Sequence, residues 1–248
     1  MDIFYEIHKD LPREGPGDNA STRKALSYLK NLPKDAKILD IGCGPGMQTL
    51  ELAKNLESTS CKIIALDNHE PFLKVVDEKA KKENLSEKIQ THYGSMFSLE
   101  FEDESFDCIW AEGSIYIIGF KRGIKEWKNF LKEGGYLVVS EISWLKFDVP
   151  EEAKEFWSTK YPVKQIYENL HDIKESGYEI IEHFTLPSES WRTDYYTPIE
   201  NRITSLWDKY INDQEAMNVL YDTQQEINMF NKYSDYYGYV FYVMRVKN

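Results

Sequence analysis

A chain of 248 residues has material enough for one large domain with an ample core, or a domain with a small insertion. Its formal charge is −12 and its Lys and Arg residues gather in nothing longer than a local pair or triple, which argues against binding along DNA or a large RNA. Hydrophobic residues make up 42% and charged residues 29%, as expected of a soluble globular protein, and no apolar run approaches the length of a membrane crossing.

The N-terminal Met1-Asp2-Ile3-Phe4-Tyr5-Glu6 lacks the basic region and apolar core of a signal peptide. Cys43, Cys61 and Cys108 are an odd set without metal-ligand spacing, and the expectation is reduced thiols in a cytoplasmic protein with no metal.

From about residue 36, short apolar runs alternate with amphipathic stretches, the rhythm of a parallel sheet wrapped by helices. Lys37–Ile41 predicts a first strand, and residues 47–56 a helix through Leu50, Ala53 and Leu56. A second strand follows over Lys62–Asp67, then a proline-started helix over 72–84. Strands three and four are expected over Ile89–Tyr93 and 106–111, with a helix over 120–132 closed by Gly134-Gly135. The nearly unbroken apolar run 136–142 predicts a fifth strand buried on both faces. Beyond Ser143 a helix through Ile166, Leu170 and Ile173 precedes a sixth strand, Tyr178–Thr185. Thr197-Pro198-Ile199-Glu200 predicts a capping-box helix start, Gln214–Tyr233 a further helix and 238–246 the last strand. These elements fit an α/β fold, an open doubly wound sheet of seven strands with helices on both faces. The segments 1–34, 143–164 and 187–237 are expected to cover the carboxyl edge of that sheet within a single domain.

The chemistry is concentrated in Asp40-Ile41-Gly42-Cys43-Gly44-Pro45-Gly46. Closely spaced glycines between a strand and a helix let a ligand approach the backbone where a side chain would collide. A tight turn alone would explain one or two glycines, but not three at alternate positions directly after a strand. A dinucleotide fingerprint needs its third glycine at position 47, which is Met47. Asp40 would oppose a pyrophosphate and suits a ligand carrying an ammonium and a sulfonium, so the charges point to S-adenosylmethionine. Asp67, closing the second strand, suits a carboxylate that accepts both ribose hydroxyls; capping the helix that follows is the bland alternative, compatible with that favoured role.

With these residues in place, the chain resembles the class I, Rossmann-like, S-adenosylmethionine-dependent methyltransferases, most closely small bacterial members of ubiquinone/menaquinone type. Asp40 to Gly46 looks like the motif that wraps the methionine moiety, and Asp67 matches the ribose-binding acid. Gly94-Ser95-Met96 resembles the third-strand motif beside adenine, where family members more often carry Asp at the position of Ser95. Phe106 to Gly113 resembles the fourth-strand motif, whose end faces the methyl group and acceptor. Similar bacterial proteins also carry Arg13-Glu14-Gly15-Pro16-Gly17 and a terminal Tyr236-Tyr237-Gly238-Tyr239. The resemblance implies the strand order 3-2-1-4-5-7-6 with the last strand antiparallel. It implies a cofactor site of Arg13, Asp40, Gly42, Cys43, Gly44, Gly46, Asp67, Asn68, Ser95, Met96, Glu112 and Gly113.

Methyl transfer from a sulfonium is an in-line displacement, so a base is needed only for an acceptor that loses a proton early. Glu112 and Glu141 are the candidates at the strand ends, and for each the bland alternative is a backbone-bonding or solvated carboxylate. Arg13 is either a contact to a carboxylate or a surface charge. Tyr116, Trp144, Trp157, Trp191, Tyr195 and Tyr237 fall in covering segments and suit a planar or cationic acceptor, with core packing the default for any single ring. The expected function is methylation of a small molecule at O, N or C, by a monomer or homodimer without a nucleic-acid or membrane partner. Alternatives are a non-catalytic module binding S-adenosylmethionine or S-adenosylhomocysteine, and a nicotinamide-dependent oxidoreductase.

Overall fold

A computed structural model describes residues 3–56, 58 and 60–247. Of the cover expected over 1–34, Met1 and Asp2 lie outside the described residues.

Strands β1 (Lys37–Ile41), β2 (Lys62–Asp67), β3 (Ile89–Tyr93), β4 (Phe106–Glu112) and β5 (Leu131–Trp144) run parallel. The two-residue β6 (Lys164–Gln165) adds to the end of β5. Strands β7 (Tyr178–Thr185) and β8 (Tyr237–Val246) follow, and β8 inserts antiparallel between β5 and β7. The order is β3-β2-β1-β4-β5-β8-β7, the expected path with one short strand added. Two layers of buried side chains form because alternate strand residues face opposite ways. Ile38, Cys108, Val138 and Phe241 face one layer; Leu39, Ile109, Val139 and Tyr242 face the other.

Helices α1 (Ile3–His8) and α2 (Asn19–Leu26) precede the sheet. Helices α3 (Met47–Asn55) and α4 (Glu70–Lys82) cover the first layer through Leu50, Ala53, Leu73 and Val76. Helix α5 (Phe120–Glu126) covers the second layer, joined later by α7 (Ile166–Glu175) through Ile124 and Ile173. Between them lies α6 (Glu151–Ser158), and the cover continues through α8 (Glu189–Trp191), α9 (Thr197–Tyr210) and α10 (Gln214–Tyr233). Helix α1 packs against α9 and α10, so segments distant in the chain meet.

Two expectations are corrected. The helix expected over 120–132 stops at Glu126, and a 3₁₀ turn over Trp127–Phe130 leads directly into β5. Gly134-Gly135 therefore does not close a helix but forms a bulge in β5. Phe106 pairs with Leu131 and Cys108 with Tyr136, so β5 carries extra residues there, and a Cβ on Gly135 would stand 2.9 Å from the Lys132 carbonyl. The capping box expected at Thr197 is absent, because a π-helical turn over Arg192–Tyr196 runs into α9 without a cap. A capping box does form at Gln165 and Glu168, at the start of α7.

Candidate functional site

The carboxyl ends of β1, β2 and β4 and the chain between α1 and α2 enclose a cleft of about 1060 Å³, counting space continuous with solvent. Its walls include Arg13, Gly42, Cys43, Gly44, Asp67, Asn68, Ser95, Met96, Glu112, Gly113 and Tyr116. Residues far apart in the chain and singled out separately thus converge on one space.

The three glycines of the turn serve different ends. All have positive φ, of 71°, 53° and 85° for Gly42, Gly44 and Gly46. A Cβ on Gly42 would lie 2.6 Å from the Ser114 Cβ, and one on Gly46 would lie 2.7 Å from a Val76 methyl, so both are demanded by packing as well as dihedral. Only Gly44 meets nothing closer than the Glu14 side chain, at 3.4 Å, and it is the position at which the turn is open to a ligand. Gly46 does not line the cleft; it seats α4.

Asp67 ties the second strand to this turn. Its Oδ2 accepts the Gly44 N–H at 2.9 Å and its Oδ1 accepts the His69 N–H at 2.9 Å. The cap residue of α4 is His69, so Asp67 is free of the helix-capping role that the sequence left open. Each carboxylate oxygen retains acceptor capacity toward the cleft.

Asp40 lies beneath the turn, fully buried, and accepts the Thr49 hydroxyl at 2.5 Å. It is absent from the cleft wall, a correction to its expected direct contact, and burial pushes its carboxyl up to about 7 while the Thr49 bond opposes. Arg13 and Glu112, expected as separate contacts, satisfy each other. Arg13 Nη1 donates to Glu112 Oε2 at 3.0 Å, with both side chains buried, and Arg13 Nη2 donates to Asn19 at 3.0 Å. Glu112 Oε1 also accepts Thr22 at 2.8 Å and the Trp110 indole at 2.9 Å. Burial raises the Glu112 pKa and Arg13 holds it down. Ser95, where a carboxylate is the commoner residue of the resembled family, points its hydroxyl at the Phe97 N–H, 3.3 Å away.

Glu141 occupies a second pocket behind Tyr116, with Tyr161, Asn169 and the rim cations Lys121, Arg122 and Lys164. Tyr116 lines both spaces and stacks on Tyr161, ring centroids 5.3 Å apart, so this pair is the partition between them. Glu141 is buried and its Oε2 lacks a hydrogen-bond partner among the described residues. Burial pushes its carboxyl up to about 8.

The expected aromatic pocket divides. Trp144, Trp157, Trp191 and Tyr237 pack together at centroid separations of 5.2 to 6.3 Å inside the first core layer, on the wall of neither space. Tyr195 takes its place under α1, where His8 Nε2 lies 3.3 Å from its hydroxyl. Two residues went unassigned in the sequence. Tyr239 brings its hydroxyl within 3.7 Å of where a Gly113 Cβ would stand, at the end of β4. Period-2 alternation from Tyr237 could have found it. Glu14, inside the motif read for Arg13 and its glycines, lines the cleft with its Oε2 buried and without a partner among the described residues.

A family model described as a methyltransferase domain matches residues 32–224. Among similar proteins, the chain is 26% identical to the sterol 24-C-methyltransferase erg6 of Aspergillus fumigatus over 197 residues, 74% of this chain and 51% of that one. It is 31% identical to the demethylmenaquinone methyltransferase of Bacteroides fragilis over 151 residues, 60% of this chain and 55% of that one. The chain thus spans about half the length of these relatives. A crystal structure of an S-adenosylmethionine-dependent methyltransferase from Thiobacillus denitrificans in complex with S-adenosyl-L-homocysteine superposes with a TM-score of 0.81 at 17% identity, covering 100% of this chain and 99% of that one. The glycine turn, the acid of the second strand and the sheet order that frames them lie within or beside the matched residues, and the chain belongs to the methyltransferase domain family.

Proposed function

We propose that this protein transfers the methyl group of S-adenosylmethionine to a small-molecule acceptor. The observation carrying this reading is the joining of the one open glycine of the turn, Gly44, to the buried carboxylate of Asp67 through a 2.9 Å hydrogen bond. The residues present fit the cofactor. Gly44 leaves backbone approachable, Asp67 keeps acceptor capacity for ribose hydroxyls, and the unpartnered Glu14 oxygen suits a cation. The pyrophosphate of a nicotinamide cofactor would meet the same acids and find Met47, not glycine, opening α3. Bound there, the cofactor supplies an electrophilic methyl group on positively charged sulfur. The names of the two relatives specify a sterol and a demethylmenaquinone, which supports a small-molecule acceptor here.

Binding of S-adenosylhomocysteine and NADH by calorimetry, on wild type and Asp67→Ala, tests this directly. We expect S-adenosylhomocysteine to bind and Asp67→Ala to weaken it about tenfold or more, through loss of charge-assisted hydrogen bonds. Preference for NADH, or failure of S-adenosylhomocysteine to bind, overturns the reading.

The acceptor is taken to sit between Gly113, Tyr239 and Tyr116, with segments 143–164 and 187–237 covering it, in a cytoplasmic monomer or homodimer. Of the two candidate bases, Glu112 has both oxygens committed, whereas Glu141 has a free one. Glu141 is therefore the better candidate to receive a proton from an acceptor that displaces the Tyr116–Tyr161 partition. With its carboxyl near 8, the ionised base form grows as pH rises toward 8. Turnover should climb between pH 6 and 8 in wild type and lose that climb in Glu141→Gln, with kcat falling about 10²-fold or more. Identical pH profiles for the two proteins would remove Glu141 from the chemistry.

A further inference from the structure

We propose that Glu14 is the charge-discriminating residue of the cofactor cleft: its carboxylate pairs with the positive sulfur that S-adenosylmethionine carries and S-adenosylhomocysteine lacks, and it releases a proton to do so. This rests on the cofactor reading above and goes beyond it in naming how substrate and product forms are told apart.

The geometry begins with the crossing of the N-terminal segment over the glycine turn. The Glu14 Cγ lies 3.4 Å from where a Gly44 Cβ would stand, so this side chain is the lid over the only open glycine of the turn. Its Oε2 is buried and has no hydrogen-bond partner among the described residues. The cations around it give their bonded N–H groups to other acceptors, and Arg13 Nε is buried without a partner among the described residues. Arg13 turns to Glu112 and Asn19, and Lys79 from α4 gives its ammonium to the Pro45 carbonyl at 2.9 Å. From α1, His8 bonds the Phe4 carbonyl and faces the Tyr195 hydroxyl, and burial favours its neutral form. His69 is stacked under the Tyr5 ring at 4.1 Å. Asp67, of the same sign, faces Glu14 from the end of β2, Lys9 and Asp10 just past α1 line its outer wall, and Tyr195 is a phenol held neutral by burial. Burial first, and Asp67 second, push the Glu14 carboxyl up to about 8.

A carboxyl in this state is mostly protonated at neutral pH and is ready to ionise when a cation arrives within a few ångströms. Both forms of the cofactor bring an ammonium and a carboxylate, so those groups cannot separate them. The sulfonium alone can. When it is present, Glu14 loses its proton to solvent and an ion pair forms in a desolvated cleft. When the methyl group and the charge have left, the carboxylate takes a proton back and the attraction for the product disappears.

The test is isothermal titration calorimetry of S-adenosylmethionine and S-adenosylhomocysteine at pH 7, in buffers of different ionisation enthalpy, on wild type and Glu14→Gln. The ligands' own ionisation is common to both proteins and cancels between them. In wild type, S-adenosylmethionine should release close to one proton more than S-adenosylhomocysteine, relative to the variant. Glu14→Gln should weaken S-adenosylmethionine about tenfold and leave S-adenosylhomocysteine within about twofold, which also reports that the variant is folded. Equal proton release in the two proteins, or equal weakening of both ligands, overturns the proposal while leaving the cofactor reading intact. Failure of both ligands to bind wild type overturns both. Should the variant not fold, wild type alone decides. Its affinity ratio of S-adenosylmethionine to S-adenosylhomocysteine must rise from pH 6 to 8 more steeply than the ligands' own titration in solution predicts, and a ratio no steeper than that overturns the proposal.

Discussion

Arg13 and Glu112 illustrate how burial turns two ordinary charges into one structural unit. Each was a candidate contact for a ligand, yet their 3.0 Å pair is 5% and 4% exposed, and the remaining Glu112 oxygen is filled by Thr22 and Trp110. Taking two ions out of water is offset by these partners, which fill both Glu112 oxygens and both terminal guanidinium nitrogens and leave Arg13 Nε without one among the described residues. Arg13→Ala should therefore cost about 3–5 kcal/mol in urea unfolding, because it strands a buried carboxylate. Adding Glu112→Gln to Arg13→Ala should recover part of that loss, since the stranded charge is then gone. Lys132→Ala is the contrast: its pair with Asp107 is 46% exposed on the lysine side, and the loss should stay within about 1 kcal/mol. A small effect for Arg13→Ala, or no recovery in the double variant, would show that the pair is not the keystone of the cleft wall.

Helix α4 depends on a residue outside it. Gly46 caps α3 at a φ of 85° and stands where a Cβ would be 2.7 Å from the Val76 methyl of α4. Gly46→Ala must both strain the backbone and push α4 off the first core layer, at a cost of about 2–5 kcal/mol. Gly15 belongs to the neighbouring wall but would meet nothing within 4 Å, so Gly15→Ala should stay within about 0.5 kcal/mol. Thermal melts of the two variants separate a packing glycine from a permissive one, and equal shifts would refute the distinction. The sequence could not make it, because all glycines of the turn look alike without their neighbours. Elements with a clean local signal were legible: Lys37–Ile41, Lys62–Asp67, Ile89–Tyr93, Tyr178–Thr185 and Gln214–Tyr233 have the expected bounds. Elements set by distant partners were not. The bulge at Gly134-Gly135 exists because β5 must re-register on β4, and β6 exists only because β5 is there to pair with. The cleft was legible where residues close a strand or form the turn directly after one, as at Asp67 and Gly44. The rings of Trp144, Trp157 and Trp191 were not resolved into pocket or core, since composition carries no direction.

Across the whole molecule, the cleft and its neighbour leave a balance of acids that sets the response to pH. Glu14 and Glu141 are pushed up to about 8 and Asp40 to about 7, each chiefly by burial. These groups hold protons in the native state that the unfolded chain has already lost above its ordinary carboxylate range. Their stability contribution is complete below about pH 4 and declines as pH rises through the native values, by up to about 1.4 kcal/mol per pH unit for each group. Asp18 and Asp172 act in the opposite sense: hydrogen bonds from Ser190 and Ser21, and Lys121 and Lys164, hold them down against burial. Their contribution is present above the ordinary range and is lost in acid. Neutral, buried His8 is also penalised in acid, because the unfolded imidazole gains a proton below its ordinary pKa that the folded one resists. The ligand-free protein should thus melt highest in mildly acidic solution and lower at pH 8, with a second fall below about pH 4. Glu141→Gln should flatten the alkaline limb, because it removes one native-state proton from the exchange without changing the shape of the side chain. Melting temperatures that hold level or rise from pH 5 to 8 would show that the buried carboxyls are solvated in solution. S-adenosylmethionine should oppose the alkaline fall more strongly than S-adenosylhomocysteine does, since only the charged form makes ionised Glu14 a stabilising partner instead of a buried liability.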